Sequence, residues 1–169
     1  MNDDPDDFKL EDLGDRRFFD FVSMEGLARD GALSGAPGEP APNADQSPMV
    51  RRFEQAWHTR YRELTCEQVR LLLGQKAGIE RLAGPILEFV SRYPTAHITN
   101  YPGEMALLAM RAADAFLVHA PVAFRQWLEG DFAWMDEAFC FSRSLRREAD
   151  EALSAARAIA APADTRSRR

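Results

Sequence analysis

The chain has 169 residues, of which 46% are hydrophobic and 28% are charged, and these values fit one globular domain with its own core. It has no uninterrupted apolar run of about 18 residues, so no transmembrane helix is expected. The acidic N-terminus lacks the basic start and apolar centre of a secretory signal, and we therefore expect a cytoplasmic protein that binds no membrane.

The net charge of −6 is concentrated in the first part of the chain. Residues 1–48 contain 12 Asp and Glu but only 4 Lys and Arg, whereas residues 49–160 contain 14 of each class. Such an acidic segment repels nucleic acid and favours a basic partner, although an ordinary solubilising tail has the same charge pattern.

Residues 1–30 combine these acids with large apolar side chains, among them Phe18 and Phe19. Disordered tails are usually poor in aromatic residues, because they have little area to bury. We therefore predict one short helix around residues 16–28 that docks on the main domain or on a partner. Residues 31–48 are rich in proline and glycine, which predicts a linker with no packed structure of its own.

The main domain is predicted to span residues 49–160. Apolar residues recur there every three or four positions, and Thr65 followed by Gln68 has the capping-box arrangement that starts a helix. The other helices are expected over residues 49–62, 79–92, 105–118, 121–130 and 133–159. The fourth helix, residues 105–118, is apolar almost all round, which predicts a central position. Phe141 is expected on the buried face of the last helix.

No alternating stretch predicts a strand, so the expected fold is all-α. We predict a single helical bundle of about five to six helices with an acidic N-terminal extension. Residues 161–169 are expected to form a disordered tail.

Two glycines flank a lysine in the stretch Gly74-Gln75-Lys76-Ala77-Gly78. A phosphate-binding loop needs the GxxxxGK[ST] spacing and a preceding strand, and this stretch has neither. We interpret it as a joint between two helices, where Gly74 and Gly78 allow close packing and a left-handed exit.

No constellation of side chains predicts catalysis or a bound cofactor. The three histidines are scattered without a metal-binding spacing. Cys66 and Cys140 lie far apart on predicted helices and are interpreted as core residues. We therefore expect a protein that is not an enzyme and binds no cofactor.

Two charged clusters leave alternative functions open. Acids near one loop suggest either a metal site of an enzyme or favourable charges at a helix start: Glu129, Asp131, Asp136 and Glu137. A basic run suggests either a helical regulator that binds nucleic acid or a solvated face of ion pairs: Arg51, Arg52, Arg60, Arg62 and Arg70. Glutamates interleave with this run, which favours the ion-paired face.

Residues 64–108 resemble one family of immunity proteins from contact-dependent growth inhibition systems. The matching residues are Leu64-Thr65, Gly74-Gln75, Gly78-Ile79, Leu82 with Pro85, Pro94, and Tyr101-Pro102-Gly103-Glu104. The interval from Pro94 to Tyr101 agrees with the spacing in that family. The resemblance also implies that these residues form the frame of the domain, since the partner-binding surface of immunity proteins varies.

The resemblance implies a protein that binds and neutralises the C-terminal toxin domain of a matching effector. Many such toxins are nucleases with basic substrate clefts. We hypothesise that Asp12, Asp15 and Asp20 mimic phosphates in such a cleft while Phe18 and Phe19 anchor the segment. The expected partner is thus a protein, with no nucleic acid, and the oligomeric state is left open.

Overall fold

The structure, a computed structural model, describes residues 12–40 and 45–162, and these residues are all-α, as predicted. Their helices are α1 (Pro48–His58), α2 (Cys66–Gly74), α3 (Ile79–Arg92), α4 (Glu104–Arg111), α5 (Ala113–His119), α6 (Pro121–Leu128), α7 (Trp134–Ala138) and α8 (Arg143–Ala160). Short 3₁₀ turns occur at Phe18–Asp20 and Tyr61–Glu63. Within the described ranges no helix has both the length and the apolar character needed to cross a membrane.

Helices α3 and α4 form the centre of the bundle. α4 packs against α2, α3, α5 and α8, and α3 packs also against α5 and α6. Six of the eight α4 residues are buried, as expected for a helix that is apolar almost all round. The stacked rings of Phe116 and Phe124, with centroids 5.2 Å apart, join α5 to α6 beside this centre.

Two of the predicted helices are each divided in two. The expected helix over residues 105–118 breaks at Ala112, whose backbone (φ −95°, ψ 20°) leaves the helical region. Ala112 and Ala113 are buried, so the break lets two short apolar helices pack in different directions. The expected helix over residues 133–159 is interrupted before α8, where the Ser142 hydroxyl accepts from the Leu145 amide and starts a new helix. Phe141 lies in this interruption and is 61% exposed, so its predicted place on a buried face is wrong.

The glycine-containing stretch is a joint between α2 and α3, and its left-handed exit falls on an unexpected residue. Lys76 has φ +53°, and the amides of Lys76 and Ala77 donate to the carbonyls of Leu73 and Leu72, which is the Schellman arrangement. Gly78 (φ +72°) then begins α3, and an added Cβ there would lie 2.8 Å from Leu33. An added Cβ at Gly74 would meet no atom within 4 Å, so the predicted close packing holds for Gly78 and not for Gly74.

The N-terminal segment, residues 12–22, docks on the main domain without forming the predicted helix. Its carbonyls cap α2: the amides of Cys66 and Glu67 donate to the Arg16 and Gly14 oxygens at 2.9 and 3.0 Å. Its own Phe18 amide donates to the Leu64 oxygen at 2.8 Å. Because these backbone groups pair with distant residues, they are not available for helical bonds, and only a 3₁₀ turn forms.

Part of the predicted linker is packed as well. The Tyr61 amide donates to the Gly31 oxygen at 2.8 Å, the Ser34 amide donates to the Trp57 oxygen at 3.0 Å, and Ala32 is buried. The expectation of a linker without packed structure is therefore wrong for residues 31–34, because this short stretch has apolar side chains to bury. Residues 41–44 and the tail residues 163–169 lie outside the described part of the chain.

Candidate functional site

Of the five residues predicted to bind a partner, three are exposed, Phe19 is half-buried and Phe18 is buried. Asp12, Asp15 and Asp20 are exposed and accessible to a partner. Phe18 is 0% exposed and packs between Phe19 and Phe89, with ring centroids 5.3 Å from each. Phe18 therefore anchors the segment to its own domain. Its ring is not accessible to a partner in this structure, so it cannot serve as the predicted anchor for one.

The surface around the exposed acids also carries positive charge. Asp15 borders a shallow pocket beside Arg52 and Glu67, which form an ion pair at 3.6 Å. Five of the 12 acids of residues 1–48 fall within residues 1–11, outside the described ranges. The described part of this surface is thus less acidic than the composition of residues 1–48 suggests.

The Tyr101-Pro102-Gly103-Glu104 box forms a tightly packed helix start. Gly103 is the N-cap of α4 with φ +77°, and an added Cβ would lie 3.0 Å from Phe139 and 3.1 Å from Trp134. The short helix α7 therefore closes over the bare Cα of Gly103, which explains why a residue without a side chain is needed there.

Glu104 connects this helix start to α2 through buried polar contacts. It is 3% exposed, its carboxylate pairs with Arg70 at 3.1 Å, and it accepts from the backbone and side-chain amides of Asn100 at 3.1 and 2.5 Å. Burial and the nearby Glu104 carboxylate raise the pKa of Tyr101. Because the Glu104 carboxylate is closed off from solvent, it ties the start of α4 to α2 and is itself not accessible to a partner.

No local pattern in the sequence indicates the pairing of Arg70 with Glu104, which lie 34 positions apart. An acid in the first turn of α4 was visible, but it has the same pattern as any acid at a helix start. Two buried side-chain nitrogens, Nε of Arg70 and Nε2 of His97, have no hydrogen-bond partner within the described ranges.

The basic run forms ion pairs, as the interleaved glutamates indicated. Its pairs are Arg52–Glu67, Arg60–Glu63, Arg62–Asp30, Arg62–Glu63 and Arg70–Glu104, at 3.0 to 3.6 Å. Four of the five arginines thus have a carboxylate partner, which leaves little unpaired charge for phosphates.

The acids at residues 129–137 are dispersed rather than gathered into a metal site. An Asp131 oxygen accepts from the Ala133 amide at 2.9 Å, and Asp136 pairs with Arg146 at 2.8 Å. Across the described ranges, no three His, Cys, Asp or Glu side chains lie close enough together to hold a metal ion.

Neither cysteine is in a disulfide, and Cys66 is buried. Cys140 is exposed and lies in the turn between α7 and α8, so its interpretation as a core residue on a helix is wrong. Burial, with a smaller contribution from Asp20, raises the pKa of the Cys66 thiol to about 12. This thiol is therefore protonated at neutral pH and is a core residue, in agreement with its sequence interpretation.

No family model, curated protein or solved structure matches this chain.

Proposed function

We propose that this chain is an immunity protein that binds the C-terminal toxin domain of a contact-dependent inhibition effector and neutralises it. The proposal rests on the resemblance over residues 64–108 and on where its residues lie. It implies a cytoplasmic protein that acts by covering a toxin surface and not by catalysis.

The observation that carries the proposal concerns three consecutive helix starts. Thr65, Gly78 and Gly103, one from each main element of the resemblance, are the N-cap residues of α2, α3 and α4. The Thr65 hydroxyl and the Gln68 side chain form the reciprocal capping box, while the two glycines adopt left-handed backbone conformations. The matched residues thus behave as a frame, which is the role that the resemblance implies for them, and leave the outer surface free to suit one toxin.

A frame of this kind supports recognition by surface complementarity. The exposed Asp12, Asp15 and Asp20 remain the candidate contacts for a basic toxin cleft. Phe19, which is partly buried against the core, is the remaining aromatic candidate beside them.

The decisive experiment co-expresses this protein with the toxin domain encoded by the gene immediately upstream. Wild-type protein is expected to restore growth and to co-purify with the toxin domain. Absence of both rescue and binding would refute the immunity function.

The role of the acidic segment needs point substitutions and not a deletion. Removing residues 1–30 would remove buried Phe18 and the carbonyls that cap α2, so loss of binding would follow from unfolding alone. The suitable variant replaces three exposed acids: Asp12→Asn, Asp15→Asn and Asp20→Asn. A control with the same change in net charge is Glu129→Gln, Glu137→Gln and Glu151→Gln. Slower toxin association for the first variant alone is expected, and equal association of both would exclude the acidic segment as a contact.

A further inference from the structure

A groove of about 500 Å³ lies between α3, α6 and the start of α7. Its lining includes two acidic residues, three aromatic residues and a glycine of α3: Glu88, Asp131, Trp127, Phe132, Trp134 and Gly84. Its volume falls in the range of pockets that hold drug-sized ligands.

The aromatic side of the groove is built by the turn that follows α6. The Gly130 amide donates to the Trp127 oxygen at 3.0 Å, and an Asp131 oxygen accepts from the Ala133 amide at 2.9 Å. This turn brings three rings into a series. The Trp127 and Phe132 centroids are 5.3 Å apart, and those of Phe132 and Trp134 are 5.9 Å apart.

The groove is lined by two acidic side chains, Glu88 and Asp131, and by no basic side chain. Glu88 already pairs with Arg92 at 3.0 Å and accepts from the Ser23 amide at 3.1 Å. Asp131 is exposed and, within the described ranges, has no ion-pair partner, so its second carboxylate oxygen is available to an incoming cation.

One cation of the protein itself already lies against a ring of this series, that of Phe132. The guanidinium carbon of Arg157, which does not line the groove, lies 5.2 Å from the Phe132 ring centroid. Aromatic faces attract cations, most strongly that of tryptophan, and buried aromatic pockets are common sites of strong protein–protein contacts.

We propose that this groove binds a basic side chain from a protein partner, with the cation against Trp127 or Trp134 and paired with Asp131. Asp131, which has no ion-pair partner within the described ranges, together with a lining that lacks basic side chains, favours a basic occupant over an acidic one. The identification of that partner as the toxin domain rests on the proposed immunity function. The preference of the groove for a cation does not depend on that function.

The first test uses a short peptide, Gly-Arg-Gly-Arg-Gly, and the same peptide with neutral citrulline in place of arginine. Indole N–H signals in NMR spectra report the groove directly, because Trp127 and Trp134 line it and Trp57 lies on α1. We expect the arginine peptide to shift the signals of Trp127 and Trp134 but not of Trp57. Equal shifts with the citrulline peptide, or no shift at all, would overturn the proposal.

Two matched pairs of variants test the contacts. Asp131→Asn keeps an oxygen that can accept from the Ala133 amide while it removes the charge, and Glu137→Gln removes the same charge from an exposed position outside the groove. Asp131→Asn is expected to weaken peptide binding about fivefold, as for loss of a partly exposed charge-assisted hydrogen bond, whereas Glu137→Gln leaves it unchanged.

Gly84 offers a steric test, because it lines the groove and an added Cβ would meet no atom within 4 Å. Gly84→Trp should fill the groove and abolish the peptide-induced shifts, while Gly84→Ala should leave them intact. Undiminished binding to Gly84→Trp, or to Asp131→Asn, would place the peptide elsewhere and overturn the proposal.

The growth-rescue assay separates this inference from the immunity function. If wild-type protein protects, Asp131→Asn should weaken protection and Gly84→Trp should abolish it, while Glu137→Gln and Gly84→Ala retain it. Equal protection by all four variants would exclude the groove as the toxin-binding surface and leave the immunity function standing. If wild-type protein gives no protection, the immunity function fails, and the peptide titration alone decides the groove.

The basic C-terminal residues of this chain, Arg166, Arg168 and Arg169, are the competing occupant. A chain ending at Pro162 tests them. Without peptide, the Trp127 and Trp134 signals of this shortened chain are compared with those of the full chain. If they differ, and the arginine peptide returns them to their positions in the full chain, the groove binds the chain's own tail and the partner proposal is overturned. Unchanged signals support an external partner.

Discussion

Replacing Phe18 with alanine tests whether the N-terminal segment, residues 12–22, belongs to the fold. Phe18 is 0% exposed, and its ring packs against Phe19 and Phe89. The same segment supplies the carbonyls that cap the first turn of α2. If the segment is docked in solution as described, loss of the Phe18 ring must lower the stability of the whole domain.

The expected magnitude follows from the complete burial of this ring. Removal of a buried phenylalanine side chain costs about 3–5 kcal/mol, because both transfer free energy and packing are lost. Residues 12–22 precede the helical bundle and are able to relax into part of the cavity, so we expect a value near the lower limit, about 3 kcal/mol. Since domains have unfolding free energies of about 5–15 kcal/mol, the Phe18→Ala variant should fold but with a clearly reduced stability.

Urea unfolding followed by circular dichroism measures this loss. Phe141→Ala is the matched control, because Phe141 is 61% exposed and its removal should change the unfolding free energy by less than about 0.5 kcal/mol. Hydrogen exchange adds a local measurement, since the amides of Cys66 and Glu67 donate to carbonyls of the segment. These amides should be protected in wild-type protein and lose protection in Phe18→Ala.

A loss below about 1 kcal/mol for Phe18→Ala would refute this reasoning, as would unprotected Cys66 and Glu67 amides in wild-type protein. Either result would mean that the segment is detached in solution. Its aromatic residues would then be available to a partner, as the sequence alone suggested.

Three further measurements test the frame of the domain. Gly103→Ala should lower the unfolding free energy by about 2 kcal/mol or more, since φ is +77° and the added Cβ would lie 3.0 Å from a neighbouring ring. Gly74→Ala, at the end of α2 with no atom within 4 Å of the added Cβ, should not lower it, and equal urea midpoints of the two variants would contradict both assignments. Glu104→Gln leaves Arg70 without its carboxylate and should cost about 3 kcal/mol, and a loss below about 1 kcal/mol would show that the buried ion pair contributes little. Burial raises the pKa of the Cys66 thiol to about 12, against an ordinary 9.0, because the folded protein disfavours the thiolate. The contribution of this thiol to the free energy of unfolding is therefore complete below pH 9 and is lost as the pH rises toward 12. From pH 8 to pH 10 this thiol should account for a loss of about 1.4 kcal/mol that Cys66→Ala does not show, and parallel pH profiles of the two proteins would contradict it.

Patterns confined to one or two turns of chain were predicted correctly. The spacing of apolar residues identified the all-α class, and Thr65 with Gln68 identified the start of α2. The glycine stretch was correctly interpreted as a joint between two helices, although the left-handed exit from α2 lies at Lys76. These features depend on side-chain and backbone interactions within about four residues, which a sequence displays directly.

The remaining features depend on residues that meet only after the chain has folded. The segment around Phe18 has a helix-like composition, but its backbone bonds to Leu64 and Cys66 remove the groups that a helix would need. The pairing of Arg70 with Glu104 joins positions 34 apart. The aromatic groove likewise forms where α3 and α6 pack together, although their sequences contain no motif for it. Local preferences thus determine the all-α class and several helix starts, whereas the extent of each helix, the burial of a side chain and the partner of a charge are decided by the free energy of contacts between distant parts of the chain.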